Sequence, residues 1–342
     1  MNVVILTEAG NKRGLGHLVR CSSIYEAFYE KGIKPEVCVD VEGVIDYRYS
    51  NFSYKKVNWL EDESKILGIL KKADIAIIDS YLAVRSFYEK VSRKVAIPVF
   101  IDDTARINYP KGIIVNSSLY ASKLFSKKKE NNEYLLGCKY IPIRAIFKKA
   151  FDKAKNNIKN NQILVMFGGT DIAGLSQKIL KLLCESGFED VKKVMISATR
   201  LSFANNIAES FRNVEILHNP EPKVLADKMA SSSIAISAAG MTLYELAYLQ
   251  IPTIAICVAD NQRRGLLEFV KIGFIEEFLS YDDADLLKKI ECRLSFMIAN
   301  YDRAMERAGI GKQVVDGRGS ERIVNKIMEV YNEKSINIGR QP

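Results

Sequence analysis

Short apolar runs alternate with helical patterns along the chain. In the first half, apolar runs that predict strands lie at residues 3–6, 35–39, 75–78, 95–101 and 113–115. Stretches with apolar residues at helical spacing lie between them, at residues 21–31, 61–72 and 84–92. Nearly continuous apolar strands that alternate with helices are typical of a parallel sheet covered on both faces, so this pattern predicts an α/β fold.

A second alternating unit begins after a polar, lysine-rich tract at residues 148–161. It contains predicted strands at residues 163–167, 191–197, 214–216, 234–236 and 251–256, and predicted helices at residues 175–185, 222–231 and 243–249. A chain of 342 residues exceeds the size at which single cores stop growing, which favours two domains. We therefore predict two Rossmann-like domains, residues 1–157 and 158–334, that face a central cleft, followed by a frayed tail at 335–342.

Composition narrows the class of protein. The hydrophobic fraction of 48% and the charged fraction of 27% are those of an ordinary globular protein. The apolar runs stay below the ~18 residues that a membrane helix needs. Six scattered cysteines without a CxxC pair predict free thiols in a reducing compartment, and the N-terminus lacks a signal-peptide pattern. We expect a cytoplasmic monomer without stable membrane insertion.

The net charge of +9 indicates anionic partners. Because the chain has no nucleic-acid motif and no interleaving of basic and aromatic residues, we expect anionic small molecules and no nucleic acid. With two histidines and no HExxH or clustered Cys and His, the sequence predicts neither a metal site nor a cofactor.

A glycine-bearing turn joins the first predicted strand to the first helix. Gly14 and Gly16 permit a tight turn and a close approach to the backbone. His17 follows them near a helix N-terminus, which favours bound anions and the neutral imidazole that a general base needs. The alternative interpretation is that His17 only caps the helix or fills the turn.

Polar residues follow the predicted strands of the first half, at Asp79, Tyr81, Asp102, Asp103 and Asn116. Ligands of parallel α/β sheets bind beyond the carboxyl ends of the strands. Each residue alone is typical of a helix cap or a turn, but together they indicate a site along one rim.

The second half carries two turns of small residues. Residues 168–170, Gly-Gly-Thr, follow a predicted buried strand and offer backbone N–H groups to a diphosphate. Residues 237–242 bring the backbone close to a ligand at a helix start, and Glu245 one turn later suits a ribose diol. A capping box of Thr242 and Glu245 is an equally good interpretation. Side-chain amides at Asn261 and Gln262 could bind sugar or phosphate, whereas His218 has a turn-like, structural context.

Taken together, these motifs resemble the GT-B nucleotide-sugar enzymes related to the lipid II-forming GlcNAc transferase. The closer resemblance is to the UDP-2,4-diacetamido-2,4,6-trideoxy-β-L-altropyranose hydrolase family of pseudaminic acid synthesis. It spans about residues 2 to 330. It rests on the stretches 14–17, 78–81, 101–103, 140–144, 168–171, 237–245, 260–262 and 316–319. The chain departs from the family pattern at Leu6 and Glu8, where the family often carries an arginine and an aspartate.

The resemblance implies water attack at C1 of the sugar, with UDP as the leaving group and no metal. His17 would be the general base, with Tyr81 and Asn261 near the sugar and the reacting centre. The remaining residues implied to bind substrate or UDP are Gly14, Gly16, Arg20, Asp103, Arg144, Gly168, Gly169, Thr170, Ala239, Gly240, Met241, Thr242, Glu245 and Gln262.

Two other classes of function stay open on the sequence. The main alternative is a UDP-sugar-dependent GT-B glycosyltransferase of surface polysaccharide synthesis, because one fold and one base serve both reactions. The other is a nucleotide-sugar binding protein without catalytic activity.

Overall fold

A computed structural model describes residues 1–10, 13–43, 52–127, 131–154, 161–167, 171, 174–197 and 212–338 of the chain. The chain divides into two compact units, one of residues 1–145 with 317–342 and one of residues 146–316. Residues 168–170, the predicted Gly-Gly-Thr turn, lie outside the described residues.

Each unit is built on one parallel sheet. The strands of the first unit are β1 (Val3–Gly10), β2 (Glu36–Glu42), β3 (Lys55–Lys56), β4 (Ile75–Asp79), β5 (Ile97–Ile101), β6 (Ile113–Asn116) and β7 (Glu133–Leu136). Those of the second are β8 (Gln162–Met166), β9 (Lys192–Ser197), β10 (Val214–His218), β11 (Ile234–Ala238), β12 (Thr253–Cys257) and β13 (Leu279–Ser280). Both parallel sheets were expected from the alternating pattern of the sequence, and the α/β prediction is confirmed.

The helices connect and cover these strands. They are α1 (Gly16–Tyr29), α2 (Glu63–Ile69), α3 (Arg85–Ser92), α4 (Ala121–Leu124), α5 (Ala145–Ala154), α6 (Leu175–Glu185), α7 (Pro222–Ala230), α8 (Met241–Tyr248), α9 (Asp260–Lys271), α10 (Leu286–Ala299), α11 (Tyr301–Val314) and α12 (Gly319–Ile338). Short 3-10 turns lie at Leu70–Lys72 and Cys138–Tyr140.

The strand order defines one switch point in each unit. The first sheet runs β3-β2-β1-β4-β5-β6-β7, and the second runs β10-β9-β8-β11-β12-β13. In both, the order reverses beside the first strand of the unit, which is the Rossmann arrangement. Ligands of such sheets bind at this switch point, beyond the carboxyl ends of the two adjacent strands. The switch points are therefore β1 with β4 and β8 with β11.

The last helix belongs to the first core. Ile323, Val324 and Ile327 of α12 are fully buried in a cluster that also contains Leu18 and Phe28 of α1. The predicted boundary near residue 157 placed this helix in the second domain, because the sequence gives no sign that the chain returns to the first unit after residue 316. The helix also includes residues 335–338, which were expected to be frayed, and residues 339–342 lie outside the described part.

Candidate active site

A cluster of buried polar side chains lies at the switch point of the first unit. Glu8 belongs to β1, and Asp79 is the last residue of β4, the strand that pairs with β1. His17 lies in the first turn of α1, and Arg20 follows it one turn later on the same helix. All four residues are at most 6% exposed. The strand pairing thus brings together charged groups that are far apart in sequence.

The imidazole of His17 is oriented by Asp79. The distance between His17 Nδ1 and Asp79 Oδ1 is 2.7 Å. Burial alone would raise the pKa of Asp79, but the charge of Arg20 and the hydrogen bonds from Arg20 and His17 outweigh it and hold that pKa well below its ordinary value. Because an ionised carboxylate only accepts hydrogen bonds, we assign the proton of the neutral ring to Nδ1. Nε2 then carries the lone pair that a general base requires.

Arg20 binds two carboxylates at once. Its Nε and Nη2 donate to the two oxygens of Asp79 at 2.7 and 2.6 Å, and its Nη1 donates to Asp103 Oδ2 at 2.5 Å. Burial would lower the pKa of Arg20, but the two carboxylates raise it well above its usual value, so the guanidinium stays charged. The resemblance implies that Arg20 and Asp103 also contact the substrate, which stays a prediction. In the structure they bind each other, and Arg20 positions Asp79.

Tyr81 covers the cluster from the loop after β4. Its ring meets the His17 ring edge-on, with centroids 4.4 Å apart and planes at 86°. Its hydroxyl donates to Asp103 Oδ2 at 3.1 Å, and the side chain is 38% exposed. Burial and the Asp103 carboxylate raise the pKa of Tyr81 well above its usual value, so the phenol acts as a donor and not as a base.

Glu8 was noted in the sequence only as a departure from a family pattern. Its carboxylate accepts the backbone N–H of Tyr81 at 2.7 Å and the Ser80 hydroxyl at 3.1 Å. Its Oε1 lies 3.7 Å from His17 Nε2. A polar residue within a run of buried strand residues was the available signal, but its partners depend on the pairing of β1 with β4.

The other polar residues of this rim fit the structural interpretation. Asp102 accepts the backbone N–H groups of Thr104 and Arg106, both at 2.8 Å. Asn116 accepts the Ser118 N–H at 3.0 Å, so both residues shape turns. Gly14 has a φ of +73°, which requires the conformational freedom of glycine, and Arg144 is buried just before α5.

The switch point of the second unit presents a helix N-terminus. After β11, Ala239 and Gly240 lead into α8, and Gly240 occupies the N-cap position. Gly240 has no side chain with which to cap this helix, and the first backbone N–H groups of an α-helix have no intrahelical i−4 partner. Met241 and Thr242 are the first two residues of α8. A capping box would need Thr242 at the N-cap, so that interpretation is wrong.

Glu245, Gln262 and Asn261 surround this helix start in different ways. Glu245 lies in α8 and is 6% exposed. Gln262 lies in α9, where its Oε1 accepts the Val258 N–H at 3.1 Å, and its Nε2 lies 3.7 Å from the position of a Cβ at Gly240. Asn261 is exposed in the first turn of α9. It belongs to the second unit, whereas His17 and Tyr81 belong to the first.

A second helix in this unit is capped by an acid. Asp171 accepts the backbone N–H groups of Leu175 and Ser176 at the start of α6, at 2.9 and 2.8 Å. A carboxylate in this position satisfies the donors that would otherwise attract an anion. Among the described residues of this switch point, α8 is therefore the better candidate for a phosphate.

No family model matches the chain. A Helicobacter pylori protein named pseudaminic acid cytidylyltransferase and UDP-2,4-diacetamido-2,4,6-trideoxy-beta-L-altropyranose hydrolase is 27% identical over 81% of this chain. The match covers 48% of that protein, so the chain spans about half its length. The spore coat polysaccharide biosynthesis protein SpsG of Bacillus subtilis is 21% identical over 98% of this chain and 100% of its own length. These relatives confirm the resemblance inferred from the motifs.

Solved structures with the same fold cover nearly the whole chain. MurG from Acinetobacter baumannii matches with a TM-score of 0.63 at 14% identity, over 96% of this chain and all of MurG. The chain has the GT-B fold. UDP-GlcNAc 2-epimerase from Neisseria meningitidis, bound to UDP-GlcNAc, matches with a TM-score of 0.64 at 14% identity, over 96% of this chain and 100% of the epimerase. The GT-B prediction is therefore confirmed.

In the part of the chain that the structure describes, no group of three or more His, Cys, Asp and Glu side chains is arranged to hold a metal ion. Across the same residues, no helix combines the length and the apolar character needed to span a bilayer.

Proposed function

We propose that the protein hydrolyses a UDP-activated amino-deoxy sugar to free sugar and UDP, by attack of water at C1. The observation that carries the proposal is the pairing of His17 Nδ1 with Asp79 Oδ1 at 2.7 Å, at the switch point of the first unit. It leaves Nε2 as the proton acceptor of a buried, oriented base. The substrate follows from the H. pylori relative, whose name includes the hydrolysis of UDP-2,4-diacetamido-2,4,6-trideoxy-β-L-altropyranose.

In the proposed reaction, the water oxygen forms a bond to C1 while the bond between C1 and the UDP oxygen breaks. His17 Nε2 takes one proton from the water, and UDP leaves with the bonding electron pair. Asp79 stabilises the imidazolium that forms and keeps the ring in place. Arg20 holds Asp79 through two hydrogen bonds of 2.6 and 2.7 Å, so the orienting carboxylate does not turn. We expect Tyr81 and Asn261 to contact the sugar.

We assign the nucleotide to the second unit. The backbone N–H groups at the start of α8 and the dipole of that helix suit a diphosphate and stabilise the departing UDP without a metal. Gly240 leaves room for a close approach, and Glu245 remains our candidate for the ribose. In this assignment the further diphosphate and substrate contacts come from Gly14, Gly16, Arg144, Gly168, Gly169, Thr170, Ala239, Met241, Thr242 and Gln262.

A glycosyltransferase is the second candidate, because MurG shares the fold and SpsG is named for polysaccharide biosynthesis. A transferase would use the same base to deprotonate an acceptor hydroxyl instead of water. The two functions therefore differ in what reaches His17 Nε2, and an assay without acceptor separates them.

The test incubates the purified protein with a panel of UDP-sugars, including the diacetamido-trideoxy-altrose donor, in H₂¹⁸O with EDTA and no acceptor. We expect UDP and free sugar from the altrose donor, with ¹⁸O at C1 of the sugar. Label in the β-phosphate of UDP would overturn attack at C1. UDP binding without release of sugar from any donor would overturn hydrolysis and favour the transferase.

A further inference from the structure

The carboxylate of Glu8 faces the nitrogen of His17 on which the proposed reaction depends. Glu8 is 1% exposed, and its Oε1 lies 3.7 Å from His17 Nε2. This distance is too long for a direct hydrogen bond. A water oxygen at hydrogen-bond distance from both atoms, about 2.8 Å from each, fits this spacing. The two side chains thus form the two acceptors of a water-binding pair.

Glu8 is held in this position by its own partners. Its Oε2 accepts the Ser80 hydroxyl at 3.1 Å, and its Oε1 accepts the Tyr81 N–H at 2.7 Å. A carboxylate oxygen accepts a second hydrogen bond readily, so Oε1 serves the loop and a water at once. On the other side of the ring, Nδ1 is held by Asp79. Both acceptors are therefore rigid before any substrate binds.

We propose that Glu8, together with His17, holds the nucleophilic water and so directs the enzyme toward hydrolysis rather than transfer. This inference rests on the proposed function. One water O–H points at His17 Nε2 and the other at Glu8 Oε1, which leaves an oxygen lone pair for C1. During attack the first proton moves to Nε2, the C1–O bond to UDP breaks, and the second proton stays on the new sugar hydroxyl. An alcohol has only one O–H and cannot satisfy both acceptors.

The experiment measures how the glycosyl group divides between water and methanol. Wild type, Glu8→Gln and Glu8→Met are given the donor that wild type hydrolyses, in water containing methanol, and free sugar and methyl glycoside are counted by NMR. Methionine has a similar volume but no acceptor oxygen, so we expect hydrolysis to fall by about 100-fold and the methyl glycoside fraction to rise. Glutamine keeps an acceptor oxygen without the charge and should give intermediate values.

Ser80→Ala is the matched control for the loop. It removes the hydroxyl that Glu8 Oε2 accepts and that also binds the N–H groups of Leu82 and Ala83, while Oε1 and Nε2 remain. We expect Ser80→Ala to raise the methyl glycoside fraction much less than Glu8→Met does, because the Tyr81 N–H still holds Glu8 Oε1. Thermal unfolding and UDP binding identify a variant that fails to fold. If Glu8→Met is such a variant, Glu8→Gln carries the test.

Two results would overturn the inference alone while wild type still hydrolyses the donor. One is a methyl glycoside fraction in the folded Glu8 variants equal to that of wild type. The other is an equal rise in Ser80→Ala, which would assign the effect to the loop. A wild-type protein that binds UDP but releases no sugar from any donor overturns the proposed function, and this inference falls with it.

Discussion

The two units have the same strand order at their centres but different groups at their switch points. In the first unit, β1 and β4 end among four buried polar side chains that carry or can carry charge: Glu8, His17, Arg20 and Asp79. In the second unit, β11 ends in small residues, and the helix that follows begins at a glycine N-cap, which has no side chain to cap it. One switch point thus offers rigid proton acceptors, and the other offers backbone donors.

The difference has an energetic side. Taking charges out of water costs several kcal/mol per ion, and even a well-formed buried ion pair adds little net stability. An apolar core would fill the first switch point at lower cost, so we infer that the cluster serves chemistry. The helix start in the second unit needs no charged side chain, because its donors belong to the backbone. The difference between the switch points agrees with the proposed roles, in which the reaction takes place in the first unit and the nucleotide binds to the second.

The strongest test of this assignment is His17→Ala. Loss of a general base typically lowers turnover by ~10²–10⁴-fold, and we expect that loss in kcat with UDP affinity unchanged. The measurement is sugar release at saturating donor, with UDP binding followed by calorimetry. His218→Ala is the matched control, because His218 is the exposed last residue of β10 in the other unit. Near wild-type turnover in His17→Ala would refute the role of the base.

The next test, Asp79→Asn, affects activity and stability together. It leaves the buried guanidinium of Arg20 with one carboxylate, and breaking such a pair costs about 3–5 kcal/mol in the free energy of unfolding. The amide also no longer enforces the tautomer of His17, so we expect kcat to fall by about 100-fold. Urea unfolding at pH 7 and sugar release measure the two effects. Unchanged stability would contradict the ion-pair geometry.

The contribution of Asp79 to the free energy of unfolding depends on pH, and the sign of this dependence follows from the pKa of its carboxyl. Burial raises the pKa of Asp79, but Arg20 and His17 lower it further, so the folded value lies below that of the unfolded chain, about 3.9. The stabilisation is therefore complete above about pH 5 and is lost progressively as the pH falls from there through the lower, folded value. Wild type should lose more stability than Asp79→Asn between pH 5 and pH 3, as measured by urea midpoints. Parallel losses would contradict the depressed pKa of Asp79.

The pattern of apolar runs predicted the alternation of strands and helices, because the spacing of apolar residues within a short segment shows which of them are buried. The predicted first strand ended at residue 6, however, whereas β1 continues to Gly10. Thr7 and Glu8 are polar yet almost fully buried, and the carboxylate of Glu8 is bound by Ser80 and Tyr81 just after β4. The short strands β7 and β13 also escaped notice, because four residues or fewer carry little periodicity.

The sequence predicted only part of the site, because local motifs do not show contacts between residues that are far apart in the chain. His17 was identified from a local motif, a glycine turn before a helix. Arg20 and Asp103 were expected to contact the substrate, but nothing local in the sequence shows that Arg20 binds Asp79, 59 residues away, and Asp103, 83 residues away. Partners of this kind follow from strand order, which the motifs imply only through the resemblance to a known fold.

The smallest expected effect tests the second unit, through Gly240→Ala. Gly240 has a negative φ, and a Cβ there would meet only Gln262 Nε2, at 3.7 Å, so we expect the fold to accept alanine without loss of stability. A diphosphate that approaches this backbone would meet the new methyl group, and we expect UDP affinity to fall about tenfold, which is about 1.4 kcal/mol.

The control is Gly265→Ala in α9, where a Cβ has no neighbour within 4 Å and a gain in helix stability is expected with unchanged UDP affinity. Calorimetric titration with UDP and thermal unfolding of both variants provide the measurements. Equal UDP affinity in the two variants would contradict diphosphate binding at the start of α8. The proposed role of the second switch point in nucleotide binding would then be wrong.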